Sequence, residues 1–274
     1  MSNGAVAGAV QGRLEGKVVV ITGGAAGIGE ATVRLFTKHG AKVIIADIAD
    51  EAGLKLAESV APLGTFVHCD VSKEEDVSKA VDLAVEKHGN LDIMFNNAGT
   101  ISSEIKSAVE YDMKRFERVM SVNVMGVMHG IKHAARVMIP QKKGCIINTG
   151  SIAGILGGAA PYSYTASKHA VLGLTKTGAA ELGKFGIRVN SVSPSGLATY
   201  FSMQHYDEIT DDRKAEVEGF FESRGNLKGA TLKVEDMAEA ALYLASEEAK
   251  YVSGHNLVLD GGSSVVNHSW GLYQ

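Results

Sequence analysis

A tyrosine and a lysine stand one helical turn apart, Tyr164 and Lys168, in the stretch NTGSIAGILGGAAPYSYTASKHA. On a helix, side chains at i and i+4 share a face, so the Lys168 ammonium would stand near the Tyr164 phenol. A nearby cation favours phenolate and lowers a phenol's pKa from its usual value near 10. That is what a proton acceptor working near neutral pH requires. Ser151 lies upstream, just after the apolar run CIINTG, which reads as a buried strand ending at a turn. A serine at a strand end and a tyrosine at a helix start can face one cleft. The serine would hold a substrate oxygen while the tyrosine exchanges a proton with it. Tyr162 is the competing phenol, but its spacing from Lys168 takes it off that helical face. The same pair could be an exposed Tyr/Lys contact on an ordinary helix, so the elements around it have to decide.

Those elements begin with KVVVIT, residues 17–22, a β-branched run of strand length. Glycines follow at once. Gly23, Gly27 and Gly29 form a G-x-x-x-G-x-G pattern that opens, through Ile28, into a helix with apolar periodicity. Glycines let a backbone turn tightly and come close to a pyrophosphate, and a helix N-terminus offers free N–H groups and the positive end of a dipole. AKVIIAD, residues 41–47, reads as a second buried strand and ends in Asp47. Asp47 follows the glycines at close to the roughly 20-residue spacing expected of an acid that binds an adenosine ribose. A carboxylate there accepts from a 2′-hydroxyl and repels a 2′-phosphate. The alternative role is a cap for the next helix, for which Asp50 is better placed.

The alternation continues. Residues 65–71 read as a third strand ending near Asp70, 73–88 as a helix, and 91–95 as a fourth strand running into Asn96, Asn97, Ala98 and Gly99. A long helix is expected over about 112–138, with strands at 144–148 and 187–193. Strands alternating with helices predict right-handed βαβ units and a single doubly wound parallel sheet, an α/β Rossmann-type fold. A ligand would lie across the carboxyl ends of its strands, and Thr22, Asp47, Asp70, Asn97, Ser151 and Pro194 all fall at or just past predicted strand ends. Asn123, in SVNVMG on the long helix, is a polar residue among apolar ones. It is either a satisfied core amide or part of the site. His129 and His133 have metal-ligand spacing, but without a glutamate between them or a third ligand no metal site is expected, and a solvated or interface face is the better reading. From 197 to 232 Met, Phe and Tyr mix with charges and no strand is evident. This predicts a lid over the substrate side with a helix near 211–222, followed by a helix over 234–246 and the strand Asn256–Leu259. Arg213, Lys214, Arg224 and Lys228 in this segment are mixed with acids, as on a solvated helix face.

The whole composition agrees with an enzyme-sized α/β chain. It has 274 residues, 45% hydrophobic, 32 glycines and a formal net charge of −4. That charge points to neither nucleic acid nor an anionic membrane as partner. No apolar run approaches the roughly 20 residues that span a bilayer. Cys69 and Cys145 lie in apolar runs and read as buried thiols of a reducing compartment. The opening stretch MSNGAVAGAVQG lacks the basic and long apolar parts of a signal peptide. Residues 1–13 are expected to be a flexible tail, 14–274 a single catalytic domain, and the protein cytoplasmic.

In combination these motifs closely resemble the short-chain dehydrogenase/reductase family over about 14–262. TGGAAGIG at 22–29 is similar to the family's cofactor loop, and Asp47 with Ile48 to its ribose and adenine contacts. CDV, which includes Asp70 and Val71, resembles its adenine pocket, and NNAG, which includes Asn97, Ala98 and Gly99, the segment beneath the cofactor. Asn123, Ser151, Tyr164 and Lys168 match its catalytic tetrad. PSGLAT, with Pro194, Leu197 and Thr199, matches its nicotinamide-carboxamide loop, except that Ser195 stands where most members have glycine. SYTASKHAVLGL and SPSGLAT look most like the plant branch that includes secoisolariciresinol, xanthoxin and borneol dehydrogenases. The resemblance implies NAD bound by Asp47, proton transfer through Tyr164, a Lys168 that also binds the nicotinamide ribose, and an Asn123 that holds a water. It implies a homotetramer packed through the Asn123 and Tyr164 helices, acting on an apolar secondary alcohol and its ketone, a terpenoid such as borneol. The apolar residues after Ser151, Thr100 to Ser102, and Leu197, Ala198, Tyr200, Phe201 and Met203 would line the pocket. An NADPH-preferring carbonyl reductase, a lignan- or xanthoxin-type dehydrogenase and a catalytically idle dinucleotide-sensing scaffold are the other readings. A filled tetrad counts against the last, and Asp47 against the first.

Overall fold

The computed structural model describes residues 12–101, 107–199 and 210–266. Their strands are β1 Val18–Thr22, β2 Lys42–Asp47, β3 Gly64–His68, β4 Ile93–Asn96, β5 Gly144–Thr149, β6 Ile187–Pro194 and β7 Asn256–Leu259. Between them run α1 Gly27–Lys38, α2 Asp50–Ser59, α3 Glu74–His88, α4 Met113–Met120, α5 Gly126–Gln141, α6 Tyr162–Leu182, α7 Asp211–Arg224 and α8 Val234–Ala245. The strands form one sheet in the order β3-β2-β1-β4-β5-β6-β7, with every neighbouring pair parallel. It is the doubly wound Rossmann-type sheet that the alternation predicts.

The near-continuous Val/Ile strands are buried on both faces, as a parallel sheet requires. One core joins Val19, Ile21, Val43, Ile45 and Phe95 to α1 and α8 through Val33, Phe36, Leu242 and Leu244. The other joins Val18, Val20, Ile44 and Met94 to α3, α5 and α6 through Val77, Val81, Ala134 and Val171. Burying side chains of this size contributes about 1.5–3 kcal/mol each. β1 pairs with β2 on one side and β4 on the other, so the strand order reverses there. The crevice outside the carboxyl ends of β1 and β4 is where ligands of such sheets bind.

Several expected boundaries move. β3 stops at His68, because Asp70 accepts hydrogen bonds from the Ser72 N–H at 3.0 Å and its hydroxyl at 2.6 Å and turns the chain out of the sheet. The long helix is three pieces in line: α4, a single π-helical turn Ser121–Met125, and α5. π-Turns inside α-helices occur often at functional sites, and this one carries Asn123. His129 and His133 do not form a solvated or subunit face. Both are buried inside the chain, His129 against the Val71 carbonyl at 3.0 Å and His133 against Glu74 at 3.1 Å, where α5 packs on the start of α3. Among the described residues no His/Cys/Asp/Glu cluster could hold a metal ion. Asp50 opens α2 and pairs with His68 at 2.7 Å; Ala49 is the N-cap and provides no side-chain bond. Of the expected tail, 1–11 lie outside the described residues, while Arg13 is tied to Glu248 and Ser246. Cys69 and Cys145 are buried free thiols. Among the described residues no helix is long and apolar enough to cross a membrane.

Candidate active site

At the switch point the glycines perform separate tasks. Gly23 and Gly27 have φ of +62° and +55°, a left-handed conformation that glycine adopts without steric cost. A Cβ on Gly23 would also meet the Ala98 backbone at 2.8 Å, and one on Gly29 would collide with the Gly23 carbonyl oxygen. The cradle therefore exists only with these side chains absent. The N-cap of α1, Ala26, gives no side-chain bond, so the first-turn N–H groups face the crevice without a side-chain acceptor. This is a site built for an anion such as a pyrophosphate.

Asn97 braces the loop from below. Its side-chain amide donates to the Thr22 and Gly23 carbonyls at 3.2 and 3.0 Å, and its Oδ1 accepts from the Thr149 hydroxyl at 3.2 Å. The Thr22 hydroxyl oxygen accepts the N–H groups of Asn97 and Ala98 at 3.0 and 3.2 Å. Asp47, at the end of β2, accepts from Ala25 N at 2.9 Å and Ala49 N at 3.0 Å. It keeps further lone pairs in a half-buried position. Ile48 beside it is 61% exposed, an apolar face suited to an adenine. The Ser72 bonds, with the charges of Arg118 and Lys73 adding to them, hold the Asp70 carboxyl below the usual range. Val71 next to it is buried.

The tetrad residues lie on the π-turn between α4 and α5 (Asn123), just past the end of β5 (Ser151) and in the first turns of α6 (Tyr164 and Lys168). Asn123 is buried; its Oδ1 accepts from Thr100 N at 2.7 Å, and its amide donates to the Thr100 carbonyl at 2.9 Å and to Ser167 Oγ at 3.0 Å. It is thus the satisfied amide and a member of the site at once. A Cβ on Gly99 would lie 3.5 Å from Asn123 Oδ1 and 3.8 Å from Lys168 Nζ, so the two side chains converge on one spot beside the NNAG segment. Lys168 is buried, donates to the Thr149 carbonyl at 2.7 Å, and stands 5.4 Å from the centre of the Tyr164 ring. Ser151 Oγ accepts from Ala153 N at 3.1 Å, which fixes its side chain.

The expected depression of the Tyr164 pKa by Lys168 does not occur in the protein alone. Tyr164 is half-buried by surface, but protein crowds its phenol. Burial pushes its pKa up to about 12 and outweighs the opposite pull of a hydrogen bond with the Ser151 side chain. The Lys168 ammonium is aimed at the Thr149 carbonyl, and burial brings its own pKa down to about 8. Desolvation disfavours the charged form of each.

On the substrate side the loop after β6 holds Leu197 and Ala198, both buried, and brings the Thr199 methyl to 3.6 Å from where a Cβ of Gly27 would stand. Ser195 in this loop has no positive φ, so its backbone conformation does not call for glycine, and its N–H donates to the Leu259 carbonyl at 3.0 Å. Helix α7 sits on the loop through Val217 and Phe221, which pack on Ala198. Phe221 lies so close over Gly196 that a Cβ there would enter its ring. Tyr200, Phe201, Met203 and Ser102 lie outside the described residues. Of the basic residues in this segment, Arg213 pairs with Glu216 at 2.7 Å, Arg224 stacks on Phe220, and Lys228 donates to the Ser223 and Gly225 carbonyls.

Thr149 and Ser167 were not evident from sequence reasoning. Thr149 joins Lys168 to Asn97, and Ser167 joins Asn123 to α6. The available signal was Ser163 and Ser167 at i and i+4 on the inner face of a helix, where apolar residues are expected.

With this geometry in place the comparisons are specific. A family profile described as enoyl-(acyl carrier protein) reductase matches residues 23–264. Secoisolariciresinol dehydrogenase of Forsythia intermedia is 52% identical, over 97% of this chain and 95% of that protein. (+)-Borneol dehydrogenase 2 of Salvia officinalis is 50% identical, over 96% and 94%. The crystal structure of levodione reductase superposes with a TM-score of 0.83 at 32% identity, over 93% of this chain and all of that one. A cradle only glycine permits, a Ser–Tyr–Lys cluster beside it and full-length relatives at half identity lead to one conclusion: the chain belongs to the short-chain dehydrogenase/reductase family, oxidoreductases that use a nicotinamide dinucleotide.

Proposed function

We propose that this protein is an NAD-dependent dehydrogenase that interconverts a bulky, mostly apolar secondary alcohol, of the terpenoid kind exemplified by borneol, and its ketone. The carrying observation is the convergence of Ser151, Tyr164 and Lys168 beside a glycine cradle whose neighbouring acid is Asp47. Ser151, its oxygen fixed by Ala153 N–H, orients the alcohol oxygen. Tyr164 takes the hydroxyl proton, with the Ser151 side chain hydrogen-bonded to its phenol; the positive nicotinamide of bound NAD would add the pull on the phenol that Lys168 does not exert in the protein alone. Asn123, converging with Lys168 beside Gly99, would hold a water that passes the proton on. Bound NAD would supply the hydride acceptor. Gly23, Gly27, Ile28 and Gly29 would hold its pyrophosphate, Asp47 its adenosine ribose, Ile48, Asp70 and Val71 its adenine. Asn97, Ala98, Gly99, Lys168 and Pro194, with Leu197 and Thr199, would hold its nicotinamide half.

The choice of NAD rests on Asp47 and on the Gly-rich loop, where residues 22–29 contain no basic side chain to meet a 2′-phosphate. A carboxylate facing that phosphate is a like-charge contact. The apolar substrate rests on the uncharged run 152–156 that follows Ser151 and on Leu197 and Ala198, buried in the loop after β6, with Arg213, Arg224 and Lys228 engaged by Glu216, Phe220 and backbone carbonyls. Borneol dehydrogenase among the relatives agrees with it. Exposed Met125, Met128 and Tyr162 support association through α5 and α6 into the proposed homotetramer.

The test is kcat/KM for terpenoid, lignan and small polar alcohols with NAD and with NADP. NAD should win by at least tenfold, and borneol should exceed a small polyol or hydroxy acid. Equal use of the two cofactors would remove the role given to Asp47; a preference for the polyol would remove the apolar pocket.

A further inference from the structure

α6 begins without a cap of its own. Its N-cap residue, Pro161, makes no side-chain hydrogen bond, and the first N–H groups of a helix have no acceptor within it. One is met from a distant part of the chain. The Ser163 N–H donates to the hydroxyl of Tyr111 at 3.2 Å, and the same hydroxyl lies 2.6 Å from Ser163 Oγ. Ser163 is fully buried. Tyr111 stands between the short helical turn Ala108–Glu110 and the N-cap of α4. Its ring is held edge-on by Phe116 and Tyr162, with centroids 6.4 and 5.7 Å away. A buried serine is therefore gripped at two atoms by a phenol that is itself fixed, and the next residue is Tyr164.

We infer that Tyr111 is a positioning residue for Tyr164, acting through Ser163 to hold the first turn of α6 in register with Ser151. This rests on the reading of Tyr164 as the proton-transferring group. Ser151 is placed by β5, whereas Tyr164 is placed by the start of α6, so their alignment depends on where that first turn sits. Misplacement of a reacting group by about 1 Å can cost on the order of 10²-fold in rate. Loss of the clamp, with the helix otherwise packed, should cost less.

Tyr111→Phe keeps the ring and its edge contacts and removes only the hydroxyl. Its kcat should fall about tenfold, while KM for NAD, set at the glycine cradle, stays within twofold. The acid limb of the kcat–pH profile should move to higher pH, because the Ser151 hydrogen bond that opposes burial of the phenol is weakened. Ser163→Ala should lower kcat by less, and the double variant should lose no more than Tyr111→Phe alone, since both act through one contact. Tyr164→Phe run alongside separates the two claims. An inactive Tyr164→Phe with a Tyr111→Phe kcat within twofold of wild type overturns the positioning role and leaves the site reading standing. An active Tyr164→Phe overturns both. Equal losses of kcat and NAD affinity in Tyr111→Phe would show general loosening and also overturn the role. Should Tyr111→Phe fail to fold, Ser163→Ala carries the test: a threefold fall in kcat at unchanged KM upholds the proposal, and an unchanged kcat overturns it.

Discussion

The two ends of the cleft satisfy their polar groups in different ways. At the glycine end the fold completes the work. Asn97, Thr22 and Asp47 are each bound to named backbone atoms, and the loop is shaped by side chains that are absent. At the tyrosine end the fold buries two ionisable groups and leaves each with a displaced pKa. Phenol and ammonium are both pushed towards neutrality by the protein around them. The first end is a mould whose shape is set by the backbone and by the glycines that line it. The second is a pre-set electrostatic arrangement that costs stability in exchange for reactivity, the usual relation at catalytic sites.

The sharpest way to break this contrast is Tyr164→Phe. It removes the proton acceptor and leaves the mould untouched, so kcat should fall by about 10²–10⁴, the contribution typical of a general acid–base. NAD affinity measured by calorimetry should stay within a few-fold. Retention of a tenth of the wild-type kcat would mean that the tyrosine end does not carry the chemistry.

Gly29→Ala tests the other end. Its methyl would collide with the Gly23 carbonyl, and neither atom is the end of a flexible side chain, so the loop backbone must shift. NAD affinity should fall at least tenfold, with a lower Tm from the strain. At saturating cofactor kcat should suffer much less. Parallel losses in kcat and affinity would show that the two ends move together and that the contrast is false.

The same difference explains what could be read from the sequence. Gly23, Gly29 and Asp47 were legible because a backbone that turns tightly or approaches a phosphate admits few residue types. Tyr164 and Lys168 were legible because helical spacing fixes which side chains share a face. The π-turn at Asn123 was not, since a wider turn within a helix leaves the apolar pattern almost unchanged. The direction in which the Tyr164 pKa moves was missed because spacing says that a cation is near but not where it points. Lys168 points at the Thr149 carbonyl. The burial of His129 and His133 was missed because a histidine on a helix face carries no mark of the element that will pack against it. The walls proposed for the substrate could be read from the sequence only as a set of apolar residues, because apolar contact is non-directional and imposes size more than identity.

The smallest expected effect concerns stability. Burial lowers the Lys168 pKa from 10.5 to about 8 in the folded protein. Between those values the unfolded chain holds the proton and the folded chain does not, so unfolding takes up a proton and stability rises with pH across that window. A tenfold difference in proton affinity between the two states is worth about 1.4 kcal/mol. With allowance for relaxation around the ammonium, the gain by pH 9.5 should be about 1–2 kcal/mol, or a few degrees in Tm for a chain of this size. Tyr164 acts in the opposite sense, because its raised pKa removes stability only above the ordinary phenol value near 10. A scan from pH 7 to 9.5 therefore isolates the lysine. Other groups titrate over the same range, so the readout is the difference from Lys168→Met, which keeps most of the stem volume and has no proton to lose. Wild type should gain stability relative to the variant as pH rises, and at pH 7 the variant should be at least as stable despite losing activity. Identical slopes would mean that the ammonium is as well solvated in the fold as in the unfolded chain. The tyrosine end would then store no electrostatic cost, and the two ends of the cleft would differ in geometry alone.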